Sequence, residues 1–242
     1  MGAGIASLAA LLDRSDIWRG GALGRTGLPG VPSGFPELDA ELPGGGWPAG
    51  ALTEIFPAHE GIGELRLLGP ALAALSGRGL RLAWIAPPYL PYPPALVAAG
   101  IDTSRLVIVR TRSPKDALWA AEQALCSNAC GAVLAWPRTA KYAELRRLQI
   151  AAEGGRGLAF IFRSPETADE SSPAALRIAL GTGQGGLAVR VFKRRGAPLA
   201  SPVLLPPMPP AARARSSNHR HVDRNSISAA AARDLPARLL HA

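Results

Sequence analysis

The residues whose order best fits chemistry lie between Thr53 and Leu65. Thr53-Glu54-Ile55-Phe56 reads as a strand, Pro57-Ala58-His59-Glu60-Gly61-Ile62-Gly63 as a glycine-bearing loop, and Glu64-Leu65 as the opening of a helix. That is the placement of a phosphate-binding loop, G-x-x-x-x-G-K-[ST], whose lysine meets the β- and γ-phosphates and whose hydroxyl meets Mg²⁺. With Gly63 as the last glycine, Glu64 stands where the lysine belongs and Leu65 where the hydroxyl belongs. Sliding the register to Gly61 offers Ile62 and Gly63 instead. No register supplies a cation, and Glu60 and Glu64 add negative charge. A helix N-terminus favours an anion by only about 0.3–1 kcal/mol, which two carboxylates can cancel. The loop is therefore expected to bind no nucleotide, and no cofactor is expected elsewhere.

The other reactive side chains are sparse. Cys126 and Cys130 lie four apart at a helix end with no histidine or further cysteine to complete a zinc site, so they are expected to be small buried residues. His59 has no serine or cysteine partner in sequence for a catalytic pair. His219 and His221 fall in an arginine-rich tail. No catalytic or metal-binding residue is expected.

Elements must hold these positions, and the pattern is regular from residue 51. Strand-like runs cover 51–56, 80–86, 106–110, 131–136 and 157–162, and helices with one apolar face cover 64–76, 114–127 and 142–152. Pro114 suits the first turn of its helix. Residues 176–180 and 187–192 alternate apolar and polar, as in a closing antiparallel pair with a Gly-rich turn. Apolar strands alternating with helices predict an α/β domain with a mainly parallel sheet between helices.

Ahead of this, Ile5, Leu8, Leu11 and Leu12 recur at helical spacing over residues 3–14. A Gly/Pro-rich stretch, 20–50, follows, with one short helix near 35–42. Beyond Ala197 six of the residues 198–210 are proline, and residues 211–242 are rich in Arg and Ala. The expected organisation is an amphipathic helix and connector over 1–30, a domain over 31–197, and a Pro-rich linker with a disordered basic tail over 198–242.

Charge excludes less than it first suggests. The chain carries 27 Lys plus Arg against 18 acids and a formal charge of +9. Only Lys115, Lys141 and Lys193 are lysines, and residues 197–242 hold six arginines and two aspartates. The remaining excess is mild for a domain of this size and permits phosphate contact without demanding it. No apolar run of 18 residues occurs, and Asp13, Arg14 and Asp16 interrupt the first apolar stretch. A soluble cytoplasmic protein with no membrane partner is expected.

Several segments together resemble the RecA ATPase core over roughly residues 31–196. They begin with Ser33-Gly34-Phe35-Pro36-Glu37-Leu38-Asp39 and the run from Pro43 through Gly44-Gly45-Gly46-Trp47 to Ile55. Gly61–Leu65, Trp84–Pro91, Leu118–Leu125 and Cys130–Pro137 are more similar to the SulA/ImuA branch of that family, proteins of the bacterial SOS response. The resemblance implies a RecA-like core in which the strand before Trp136-Pro137 occupies the Walker B place without its Asp. Ala86-Pro87-Pro88-Tyr89 likewise follows the second strand where a water-activating Glu is expected. Phosphoryl transfer depends on such positioned charges. The implication is a pseudo-ATPase accessory protein of translesion DNA synthesis, docking to an inactive Y-family polymerase homologue and an error-prone C-family polymerase. The RecA recombinase is a further implied partner, and the protein is implied to join the nucleoid on DNA damage. The alternative is a SulA-type inhibitor of the tubulin-like division GTPase.

Candidate docking residues follow. Tyr89, Leu90 and Tyr92 sit in the proline-rich run 86–94 at the carboxyl end of a strand, where open α/β sheets bind partners. Leu8, Leu11 and Leu12 present an apolar stripe that suits either another protein or the chain's own core. Arg138, Lys141, Arg146 and Arg147, after the fourth strand, are the candidate DNA contacts, with a solvated basic helix face as the alternative. Arg163–Glu170, after the fifth strand, is acidic on balance and expected to repel phosphate.

Overall fold

The computed structural model describes residues 30–183 and 186–206. The stripe of Leu8, Leu11 and Leu12 and the tail from Pro207 onward lie outside these described residues. In chain order the elements are α1 (Pro36–Asp39), β1 (Leu52–Pro57), α2 (Glu64–Gly77), β2 (Arg81–Ile85), α3 (Pro93–Ala98), β3 (Leu106–Val109), α4 (Pro114–Cys126), β4 (Cys130–Ala135), α5 (Tyr142–Glu153), β5 (Leu158–Phe162), β6 (Leu176–Gly183), β7 (Gly186–Lys193) and β8 (Val203–Leu205). All strands join one sheet in the order β3-β2-β4-β5-β1-β6-β7-β8. Pairing is parallel from β3 through β6 and antiparallel for β6–β7 and β7–β8. The expected α/β architecture with its antiparallel closing pair is present.

Successive strand residues face opposite sides of a sheet, and the two sides are built differently. Leu82, Trp84, Leu134, Leu158 and Phe160 pack with Leu67, Leu68 and Leu72 of α2. On the other side Ala83, Val133, Ala135, Ala159 and Ile161 meet Leu118 and Ala121 of α4 and Leu145 and Leu148 of α5. Small side chains on that side let two helices lie close to the strands. Helix α4 starts where its chemistry demands: Ser113 caps it by accepting the Asp116 N–H at 3.2 Å, with Pro114 in the first turn.

The glycine-rich lead-in is part of the core. Val31 and Trp47 exchange two backbone hydrogen bonds, and the fully buried Trp47 ring meets Phe160 edge-on at 5.3 Å. A side chain at Gly46 would put its Cβ 2.3 Å from the Val31 carbonyl oxygen. Gly34 has φ +87°, and a Cβ there would meet the Pro70 side chain at 2.4 Å. Glycine is required at both places by close approach, not by flexibility.

Three expectations need correction. The domain does not end near residue 197: β8 adds an antiparallel strand to β7, with Leu187 opposite Leu205, and Leu205 is buried. Alternate apolar residues drive that strand despite the prolines around it, because Pro202 and Pro206 flank its short span and interrupt no ladder bond inside it. The proline-rich run 86–94, expected to be a loop throughout, gives way at Pro93 to a helix over 93–98 with two prolines at its first positions. The cysteines are not buried together, since Cys126 is exposed and Cys130 half-buried. Desolvation raises the Cys130 thiol pKa despite nearby Arg81.

Because Leu205 is buried, a chain ending at Ala197 should lose about 2–3 kcal/mol of stability relative to one ending at Met208, the transfer free energy of one leucine. Urea denaturation of the two truncations checks this; coincident midpoints would show that β8 contributes nothing.

Candidate functional site

The loop after β1 carries its own anion. Gly61 and Gly63 hold φ of +77° and +123°, conformations that favour glycine. Their amides point to one place. Glu64, the first residue of α2, folds back so that Oε1 accepts the Gly61 N–H at 3.0 Å and Oε2 accepts the Gly63 N–H at 3.1 Å. Backbone amides at a loop and helix N-terminus are the groups that cradle phosphate, and here a carboxylate of the same chain bonds them. Leu65 packs half-buried against the core beneath α2.

Within the preceding strand, β1 buries a charge. Glu54 is fully buried, and its Oε1 accepts from Arg163 Nη1 at 3.0 Å while its Oε2 accepts from Arg177 Nε at 2.7 Å. Arg163, just past β5, reaches further: Nη2 donates to Glu170 at 2.6 Å and to the Ala140 carbonyl at 3.2 Å. Arg177 on β6 lies over the Phe56 and Phe192 rings at 5.0 and 5.1 Å. Lys193 donates to the Ser172 carbonyl at 2.6 Å, and burial with the Arg177 charge beside it lowers its pKa. This cluster pins the loops after β4 and β5 to the central strand. Arg163 is thus buried in the domain and is not a loop cation open to solvent.

A cleft of about 840 Å³ opens along the carboxyl ends of β1 to β5. Its floor includes Trp136, half-buried and stacked on Phe162 with ring centroids 4.4 Å apart. Pro87, Pro88 and Tyr89 form one wall. Ala86, at the base of that wall, has φ +52°, a conformation non-glycine residues seldom adopt. Tyr89, Leu90 and Tyr92 are 69%, 63% and 71% exposed. Interaction with the Glu60 carboxylate raises the Tyr89 hydroxyl pKa.

The candidate basic residues do not share one surface. Arg138 lines the cleft, whereas Arg147 pairs with Glu122 of α4 and lines a separate hollow between α4 and α5. Lys141 precedes α5, where its N–H donates to the Glu144 carboxylate at 2.7 Å; Arg146 is exposed on that helix. Arg110 and Arg112, which join Arg138 at the cleft, were not singled out in sequence. In sequence Arg110 closes the strand-like run 106–110 and Arg112 stands two residues before the Pro114 helix start, which puts both near the carboxyl end of that strand.

Strand order, loop and cleft define a RecA-like α/β domain. Over part of its length the chain is similar to both members of the SulA/ImuA branch. It is 30% identical over 141 residues to Protein ImuA of Caulobacter vibrioides, covering 55% of this chain and 58% of that protein. It is 30% identical over 112 residues to Cell division inhibitor SulA of Photorhabdus laumondii, covering 46% and 63%. It is 31% identical over 104 residues to Protein RecA of Lactobacillus delbrueckii, covering 43% and 31%. The matches thus span less than two thirds of each relative's length. No family model matches the chain.

Replacing Arg163 with Met should cost about 3–5 kcal/mol, because Glu54 stays buried with one partner removed. The same change should make residues 138–141 and 163–172 the first points of proteolytic cleavage. Denaturation midpoints and limited proteolysis check both; a stability loss below about 1 kcal/mol would show that the buried cluster is not a clamp.

Proposed function

We propose that the protein is a non-catalytic, RecA-like accessory factor of damage-induced mutagenesis in the SOS response, working by docking to the polymerases that copy past lesions. The observation that carries the non-catalytic half is the Glu64 carboxylate bonded to the Gly61 and Gly63 amides. A nucleotide would have to displace that carboxylate and then sit beside it without a lysine, a Mg²⁺-binding hydroxyl or a Walker B aspartate. Trp136 stands at the end of β4 and Pro87 follows β2 where such charges would be needed. The protein is in this reading a pseudo-ATPase: the fold survives and the phosphate chemistry does not.

The accessory half rests on the similarity to ImuA and on the exposed Tyr89, Leu90 and Tyr92. Proline-stiffened aromatic anchors lose little conformational entropy on docking. The partners in this reading are the inactive Y-family polymerase homologue and the error-prone C-family polymerase, with the RecA recombinase as a third. In this reading the protein joins the nucleoid when DNA is damaged. Among the described residues no helix is long and apolar enough to cross a membrane. The similarity to SulA, named a cell division inhibitor, favours a second reading in which the same domain binds the division GTPase.

Affinity capture with the full-length protein separates the readings. It should retain the Y-family homologue, and replacing Tyr89, Leu90 and Tyr92 together with Ser should weaken that capture by at least about tenfold, as expected when central aromatic anchors are removed. Retention of the division GTPase with no polymerase component would support the second reading against the first.

A further inference from the structure

The charges along the cleft are sorted by strand. Arg110 and Arg112 follow β3 and Arg138 follows β4; all three are exposed, and no described carboxylate pairs with them. Glu166 follows β5 and Glu60 follows β1, both also exposed on the cleft. Arg163 adds no free charge between them, since its side chain is buried against two carboxylates. With the strands in the order β3-β2-β4-β5-β1, the cleft is cationic at one end and anionic at the other. Its middle is the apolar stack of Trp136 on Phe162, beside the proline wall.

We propose that this cleft is a docking groove for an extended segment of a partner protein. The segment carries acidic residues at one end, basic residues at the other, and a proline or aromatic side chain between. The inference rests on the docking reading above and names what the groove recognises. A nucleic-acid strand carries one sign of charge along its length, so the Glu60–Glu166 end repels it while the arginine end attracts it. A polypeptide can match both ends. The volume, about 840 Å³, falls in the range of concave sites that enclose a small ligand or a few side chains. The walls are fixed in advance, by prolines on one side and by the Arg163 clamp on the other, which lowers the entropy lost on binding. Opposed charges across such a groove chiefly set specificity and orientation.

Selection of phage-displayed random peptides on the immobilised full-length protein tests the proposal. The expected consensus has acids on one side of a proline or aromatic residue and lysine or arginine on the other. A labelled peptide of that consensus should bind at least tenfold more weakly to the Arg110→Glu, Arg112→Glu, Arg138→Glu triple variant. The variant should melt with the wild-type protein because all three positions are exposed. Failure to enrich a consensus, a consensus of one charge sign, or unchanged affinity in the triple variant would overturn the groove. Binding of oligothymidylate that the triple variant loses, with no peptide selected, would replace it with a nucleic-acid site. Competition by the peptide in the polymerase capture keeps the two ideas apart. If capture of the Y-family homologue persists while the peptide fails to compete, the groove is wrong and the docking reading stands. If the peptide binds and no polymerase is captured, the groove stands and that partner is wrong.

Discussion

A buried carboxylate organises this molecule. Glu54 sits fully enclosed on the central strand, and a lone ion there would be prohibitively costly to desolvate. The arginines that pair with it come from just past β5 and from β6, its neighbours in the sheet. Because Arg163 also holds Ala140 and Glu170, the requirement that one charge be paired becomes a constraint on two loops. Those loops form part of the cleft rim. The shape of the candidate site therefore depends on an ion-pair network built on one buried carboxylate, Glu54, the guanidiniums of Arg163 and Arg177, and the exposed Glu170.

The loop after β1 shows the same logic applied to the backbone. Its positive-φ glycines converge amide donors at the start of α2, an arrangement suited to anions. A glutamate at the first helical residue both matches the positive end of the helix and satisfies those donors. The fold thus keeps the geometry of a phosphate site while meeting its hydrogen-bonding demand internally. What remains open to solvent is the cleft beside it, stiff, aromatic-floored and oppositely charged at its ends. Such a surface suits recognition better than turnover.

The parts of the fold written in local pattern were legible in the sequence. Leu158–Phe162 is a continuous apolar run because the strand is covered on both faces, and the leucines of α2 mark the stripe that covers one of them. The phosphate-loop departures at Glu64 and Leu65 were legible for the same reason, since a motif is a local spacing. What depended on distant pairing was not. Nothing near Glu54 announces Arg163, which is 109 positions away. Arg138 and Arg147 were adjacent enough in sequence to suggest one basic face, yet the turn into α5 sends them to different hollows. The strand β8 hid among prolines because its three residues gain their stability from β7, not from their own propensity.

We propose that this RecA-like domain has closed its nucleotide site with its own side chain and acts without ATP. Calorimetric titration of the full-length protein with Mg·ATP addresses that claim directly. The prediction is heat of dilution alone at physiological nucleotide concentrations. Saturable micromolar binding that disappears when Gly61 and Gly63 are replaced would contradict it.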